Sequence, residues 1–436
     1  MPTETCRTPL SRALLAFALL GVAAASVHAQ QTIKIGALYD VSGPFAGGGS
    51  KPSLDGALIA MEMVNEKGGV LGKYKIIPVT GDAQSKADVA INEYERMINA
   101  EQVDMVVGPY SSAHAVPLAG KADAQHKFLW ITTAIATAVF QDKGYKYVFR
   151  PQTHGAQFGE ASAKFLAEES KTKLGIDPKD LKLAIFHEDG PYGTGVAASN
   201  EEWAKKMGFK IVLKEGYSAT APDLSALVIK LKRARPDIML HTGYNPDITL
   251  FLRQSKEQGL HWKGLIGHGA GYGQIDKLRD TFGNDVDYVW DVDPVANQLL
   301  DPKTLAPGMG DLIKDMVRRY VAKTGAKEIP PHVGIAFSNT WVLLNDVLPR
   351  AIAKHGGWSA DALRMAALET DIPEGKTPIG FGVKFPPPGD SLAGQNTRSY
   401  AALMQFIGGK TFVSYPRAIR TADPVLPWPK SSPYAE

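Results

Sequence analysis

Four short loops carry the side chains best suited to chemistry: Tyr110-Ser111-Ser112-Ala113, Thr132-Thr133-Ala134, Asp189-Gly190-Pro191-Tyr192-Gly193 and Gly243-Tyr244-Asn245-Pro246. Each follows an apolar run. Serine hydroxyls and free backbone N–H groups at a helix start suit a carboxylate, because that end carries partial positive charge and unpaired donors. Capping of the helix by Ser111 or Ser112 is an equally open reading, and a tyrosine at such a place also serves as packing. The weight lies in four loops of one kind, two from each half of the chain. Catalytic signatures do not accompany them. Gly47-Gly48-Gly49 is followed by Ser50-Lys51-Pro52, which lacks the lysine and hydroxyl placement of a phosphate-binding loop and reads as a turn with a helix cap. No Gly-x-Ser-x-Gly elbow occurs, and His261 and His268 have no carboxylate between them to complete a metal set. A hydrolase would need Ser112 paired with a histidine base. No catalytic residue, metal or cofactor is expected.

The elements that position these loops alternate. Apolar runs at 33–39, 75–80, 103–107 and 128–132 read as strands, with helical patterns at 54–65 and 86–99 between them. The series restarts with strands at 181–186, 211–213, 238–241 and 265–266, and helices at 193–207, 224–233, 248–258 and 275–282. Strands alternating with helices of this length predict an α/β fold of mainly parallel sheets covered on both faces, here as two lobes. Short extended stretches at 147–151 and 288–291 are candidate crossovers between lobes. Helices at 310–323, 335–355 and 360–369 follow, then a strand pair at 401–407 and 411–415. The Pro-rich tail after Pro424 is expected to be poorly ordered.

The N-terminus points to export. Arg7 and Arg12 precede an apolar run at 14–25, and Val27-His28-Ala29 has the small-x-small pattern of a cleavage site. The run is too short to span a bilayer, which needs about 20 residues, so residues 1–29 read as a signal peptide. The sole cysteine, Cys6, lies within it, which leaves the mature chain without disulfides or thiolate ligands. The formal charge of +3 becomes +2 once Glu4, Arg7 and Arg12 are removed. With no basic run, nucleic acid is not an expected partner.

Taken in order, several segments resemble a known family: Ile35-Gly36 through Ser42-Gly43-Pro44, Asn65-Glu66-Lys67-Gly68-Gly69-Val70-Leu71-Gly72, Val107-Gly108-Pro109 with Ser111-Ser112, and Tyr192-Gly193. Asp223-Leu224-Ser225, Arg235-Pro236-Asp237, Phe251-Leu252-Arg253-Gln254 and Gly259-Leu260 continue the match. The chain resembles the periplasmic solute-binding proteins of ABC importers, of the branched-chain amino acid (Leu/Ile/Val-binding) type. The resemblance implies a type I periplasmic-binding fold, in which two Rossmann-like lobes joined by three crossover segments trap a ligand by hinge closure. The expected division is residues 30–150 plus 288–397 for the N-terminal lobe, 151–287 plus 398–425 for the C-terminal lobe, and 426–436 as a tail. It also implies a periplasmic monomer that hands its ligand to a permease and ATPase complex in the inner membrane. A ligand-sensing module of the same fold is the other use.

Carried over by position, Ser112 with Ser111 and Thr133, and the backbone of Ala134, would hold the ligand carboxylate. Tyr192 and Tyr244 would close over it. Two positions depart from the family: a threonine near the carboxylate is Ala136, and the acid that pairs with the ligand ammonium aligns with Gly269. An ammonium buried without a counter-charge costs several kcal/mol. The expectation is therefore a carboxylate without an α-amino group, aromatic acids of benzoate or cinnamate type first, with Phe45 and Tyr272 also lining the site. The alternative is an ordinary amino acid binder whose acid comes from elsewhere, with Asp189, Asp247 and Asp291 as candidates.

Overall fold

The computed structural model describes residues 1–2, 31–327 and 329–436. Apart from its first two residues, the expected signal segment lies outside the described residues. Strands β1 (Thr32–Tyr39), β2 (Lys75–Asp82), β3 (Met105–Val107), β4 (Phe128–Trp130) and β5 (Val148–Phe149) alternate with helices α1 (Ser50–Glu66), α2 (Ala87–Glu95) and α3 (Ser112–Ala124). They form a parallel sheet in the order β2-β1-β3-β4-β5. Strands β3 and β4 are wholly apolar and wholly buried, as helices on both faces of a parallel sheet require.

After α4 (Gly155–Glu169) comes the second series: β6 (Lys182–Glu188), α5 (Pro191–Met207), β7 (Lys210–Tyr217), α6 (Ser225–Ala234), β8 (Ile238–Thr242), α7 (Asn245–Glu257), β9 (Gly264–His268), α8 (Ile275–Phe282) and β10 (Trp290–Asp293). The chain continues with α9 (Met309–Thr324), α10 (Pro331–Val342), α11 (Leu348–His355), α12 (Ala360–Leu368) and a short antiparallel pair, β11 (Asp371–Ile372) and β12 (Val383–Lys384). It closes with β13 (Ala402–Ile407) and β14 (Lys410–Tyr415). The second sheet runs β14-β13-β10-β9-β8-β6-β7, parallel from β7 to β10 and antiparallel at β13 and β14. Helices α9 and α10 return to the first lobe. There α10 lies so close on α1 that a Cβ on Gly56 would stand 2.1 Å from Val333 O.

Two expectations need correction. Residues 288–291 are not a crossover: β10 pairs with both β9 and β13, so the second sheet extends past 287 to Asp293 and the crossover follows it. The stretch is short, and its polar alternation Trp-Asp-Val-Asp hid a strand that is buried throughout.

The C-terminal tail is not loose either. Tyr434 is fully buried and stacks on Trp262 at 4.8 Å, while Trp428 meets Trp262 edge-on at 5.7 Å. Trp262 N–H donates to Tyr434 O at 2.9 Å. Proline fixes an extended path here, and the aromatics supply the apolar area that holds it. Trp428→Ala is expected to cost about 3 kcal/mol through lost burial and the cavity left behind. A lower urea midpoint without a changed slope would register it. Among the described residues no helix is long and apolar enough to cross a membrane.

Candidate functional site

The carboxyl ends of the two sheets face each other, the usual ligand position in open α/β sheets. From the first lobe, α3 begins at this junction. Ser111 is its cap, with the hydroxyl accepting from Ala113 N–H at 3.2 Å. Ser112 points into the junction, and its hydroxyl accepts from Ala136 N–H at 3.1 Å. Among the described residues no histidine is hydrogen-bonded to it. Thr133 lies 3.2 Å, oxygen to oxygen, from Thr132, which is itself 2.6 Å from the Tyr39 hydroxyl. The chain of hydroxyls fixes both threonine rotamers beside a helix start.

From the second lobe, Pro191 opens α5, where its fixed φ suits the first turn, and the next residue is Tyr192. Its hydroxyl donates to His268 O, which anchors the ring over the junction. Tyr244 precedes α7 and is held by its N–H donating to Asp247 Oδ1 at 2.9 Å. The two rings lie 5.4 Å apart, and burial holds both phenols well above their usual pKa, so they stay neutral.

The lobes are closed on one another. Ser112, Thr133, Tyr192, Tyr244 and Gly269 line one enclosed cavity. It is small, with ≈ 30 Å³ of room for the centres of water molecules, enough for about two waters at ~10–15 Å³ each. The other expected residues lie outside its lining. Ser111 is spent on the cap. Ala134 donates its N–H to Pro109 O and receives Arg150 Nη1 at its carbonyl, so both polar groups are engaged. Phe45 packs on the outer side of Tyr244, with centroids 4.3 Å apart. Tyr272 lies against Gly267 in the second lobe and bonds His241 Nδ1 at 2.6 Å. His241 Nε2 is 2.6 Å from Tyr217, whose hydroxyl donates to Asp247. That relay braces α7, which carries Tyr244, and burial pushes Asp247 up to about 7.

Sequence reasoning missed the group that matters most. Asp293, the last residue of β10, lines the cavity and is 97 % buried. A Cβ built on Gly269 would lie 3.3 Å from Asp293 Oδ1. The glycine that replaces the family acid thus makes room for a carboxylate arriving from the neighbouring strand. The expectation of a cleft without counter-charge is therefore wrong. Asp189 and Asp247, proposed as substitutes, do not line the cavity. Asp293 Oδ2 has no hydrogen-bond partner, and His332 Nε2 stands 3.9 Å away. Burial and the nearby Asp291 raise the Asp293 pKa well above the carboxylate range. Burial holds His332 down at about 4, so it carries no charge to offset the acid. The signal was present as two acids at i and i+2 in a buried strand, which must share one face.

Residues 32–398 match the periplasmic binding protein family. The chain belongs to that family. This periplasmic binding protein is 33% identical over 419 residues to Leu/Ile/Val-binding protein homolog 7 of Brucella abortus, covering 96% of this chain and 100% of that protein. Homolog 8 of the same species is 33% identical over 411 residues, 93% of this chain and 96% of that one. In structure it is similar to a leucine binding protein, LivK, from Thermotoga maritima, with a TM-score of 0.70 at 20% identity over 87% of this chain and 97% of that one. A second likeness is LivJ from Streptococcus pneumoniae in complex with isoleucine, with a TM-score of 0.69 at 20% identity over 87% and 98% of the two chains. These likenesses establish the two-lobed type I fold for this periplasmic binding protein.

Proposed function

We propose that this periplasmic binding protein captures an α-amino acid after export and delivers it in the closed form to an ABC permease. The carrying observation is Asp293, a buried carboxylate with Oδ2 unpartnered, which lines the same cavity as Ser112 and Thr133. A zwitterion fits that polarity: its carboxylate takes the hydroxyls near the start of α3, and its ammonium takes the acid. The names of the Brucella relatives agree with an amino acid and bring leucine, isoleucine and valine into any ligand panel. The reading as an amine-free aromatic acid binder rested on a missing counter-charge, and Asp293 supplies one.

Calorimetry on the purified protein, unfolded and refolded to remove carried-over ligand, tests this. Each L-amino acid is paired with its 2-oxo or deaminated counterpart, and benzoate and cinnamate are added. Binding of an amino acid with at least a hundredfold loss for its amine-free partner is expected, because an unmatched buried charge is worth about 3 kcal/mol or more. Binding confined to the amine-free acids would overturn the proposal.

A further inference from the structure

The glycine run Gly47-Gly48-Gly49 lies in the loop between β1 and α1, and its members are glycine for different reasons. Gly49 is required by the first lobe itself: its φ is +136°, and a Cβ there would meet the Tyr110 ring at 2.6 Å. Gly47 and Gly48 have no positive φ. A Cβ on Gly47 would meet Lys277 Nζ at 2.8 Å, and one on Gly48 would meet Asn245 at 3.4 Å from its Cβ and 3.8 Å from its N. Lys277 lies in α8 and Asn245 opens α7, both in the second lobe. Apart from their own turn, no described atom of the first lobe comes within 4 Å of either added Cβ. The space before these two glycines is therefore taken by the closed second lobe and not by their own.

The same turn ties the lobes together. Lys277 donates to Gly47 O, and Phe45 packs on Tyr244. Gly48 O accepts from the Tyr110 hydroxyl at 2.6 Å. Tyr110 and Tyr244 both line the ligand cavity, so the turn backs the cavity wall where the lobes meet. Asn245 Nδ2 has no hydrogen-bond partner, so at Gly48 this residue contributes shape and not a bond. Hinge opening parts the contacts between lobes, which makes the meeting of Gly48 with Asn245 a property of the closed form.

We propose that Gly48 is the landing point of lobe closure and that bulk at this position sets how long a ligand is held. A side chain there raises the energy of the closed form and leaves the open form unchanged, which shifts the hinge equilibrium toward open. A methyl group fits at 3.4 Å, whereas a longer side chain overpacks the contact. The effect falls on dissociation, because ligand enters the open form and leaves only when the lobes part. It does not depend on the class of ligand, so it stands apart from the amino acid reading above.

The test compares wild type, Gly48→Ala and Gly48→Leu by stopped-flow kinetics with leucine, isoleucine and valine as probes. Gly48→Leu is expected to release a bound probe about tenfold faster or more, with little change in association and an undiminished ligand-free thermal midpoint. Gly48→Ala is expected to stay near wild type. Unchanged release from Gly48→Leu would overturn the proposal. So would a markedly lower ligand-free midpoint, because the first lobe would then need the glycine for its own fold. A second arm needs no ligand. Cys6 is the sole cysteine, so Gly48→Cys with Asn245→Cys, in a Cys6→Ser background, carries two thiols whose Cβ separation is near the roughly 3.5–4.5 Å of a disulfide. An intramolecular disulfide is expected under mild oxidation, read as reduction-sensitive mobility and mass. A folded double variant that stays reduced would overturn the proposal. Failure of wild type to bind any of the probes would count against the amino acid reading alone and leave this second arm to decide.

Discussion

Asp293→Asn is expected to weaken amino acid binding by two to three orders of magnitude. The amide is nearly isosteric and fits beside Gly269, so the loss is electrostatic. It leaves the ligand ammonium buried with no anion, and breaking one side of a buried pair costs about 3–5 kcal/mol, at about 1.4 kcal/mol per decade of affinity. The ligand-free protein should respond in the opposite sense. There Asp293 is buried beside Asp291 with Oδ2 unpartnered, so replacing the acid with a neutral amide should hold or raise the thermal midpoint. A variant with lower affinity and undiminished stability would mark Asp293 as a ligand residue. Unchanged affinity would sink the assignment.

The same carboxylates set a pH dependence. Burial raises both Asp291 and Asp293, so the closed ligand-free form binds more protons than the unfolded chain. Its relative stability is full below the ordinary carboxylate pKa of about 3.9 and is lost as pH rises toward the raised values. An ammonium reverses this by favouring the ionised acid. Amino acid binding should therefore release protons near neutral pH, visible as a calorimetric enthalpy that changes with the ionisation enthalpy of the buffer. Asp293→Asn should reduce that release.

Much of this was legible in the residues. The alternation of strands and helices gave both lobes, and Ser112, Thr133, Tyr192 and Tyr244 meet at one cavity because each follows a strand end, where topology must bring them together. The acid beside Gly269 was overlooked for a local reason. A search along the chain from Gly269 finds no acid nearby, whereas the parallel pairing of β9 with β10 sets Asp293 beside it in space. Tyr272 was misplaced for a similar reason. Its ring fills the space left by Gly267 and its hydroxyl is taken by His241, neither of which spacing alone reveals.

Arg150→Met is expected to cost about 3–5 kcal/mol of stability and to weaken binding of the ligand carboxylate. Arg150 is fully buried directly after β5, and among the described residues no acid pairs with it. Its Nη1 donates to Ala134 O at 3.1 Å and to Ala136 O at 2.9 Å, and Nε donates to Gln395 Oε1 at 2.6 Å. The guanidinium lies 5.0 Å from the Phe140 ring centroid, and burial pulls its pKa down to about 9, which still leaves it charged at neutral pH. It therefore fastens the loop carrying Ala136, whose N–H meets Ser112. Its backbone also bridges to residues 394–396, donating to Gly394 O and accepting from Asn396 N–H. Methionine fills similar volume but leaves three acceptors without their donor. Arg150→Lys separates charge from shape, because an ammonium keeps the positive charge but cannot fork to two carbonyls and a side-chain amide at once. If the charge supports the ligand carboxylate, Arg150→Lys should bind better than Arg150→Met even though both lower the urea midpoint. Equal loss of affinity in the two would assign Arg150 to scaffolding alone, and wild-type affinity in Arg150→Met would remove it from the site altogether.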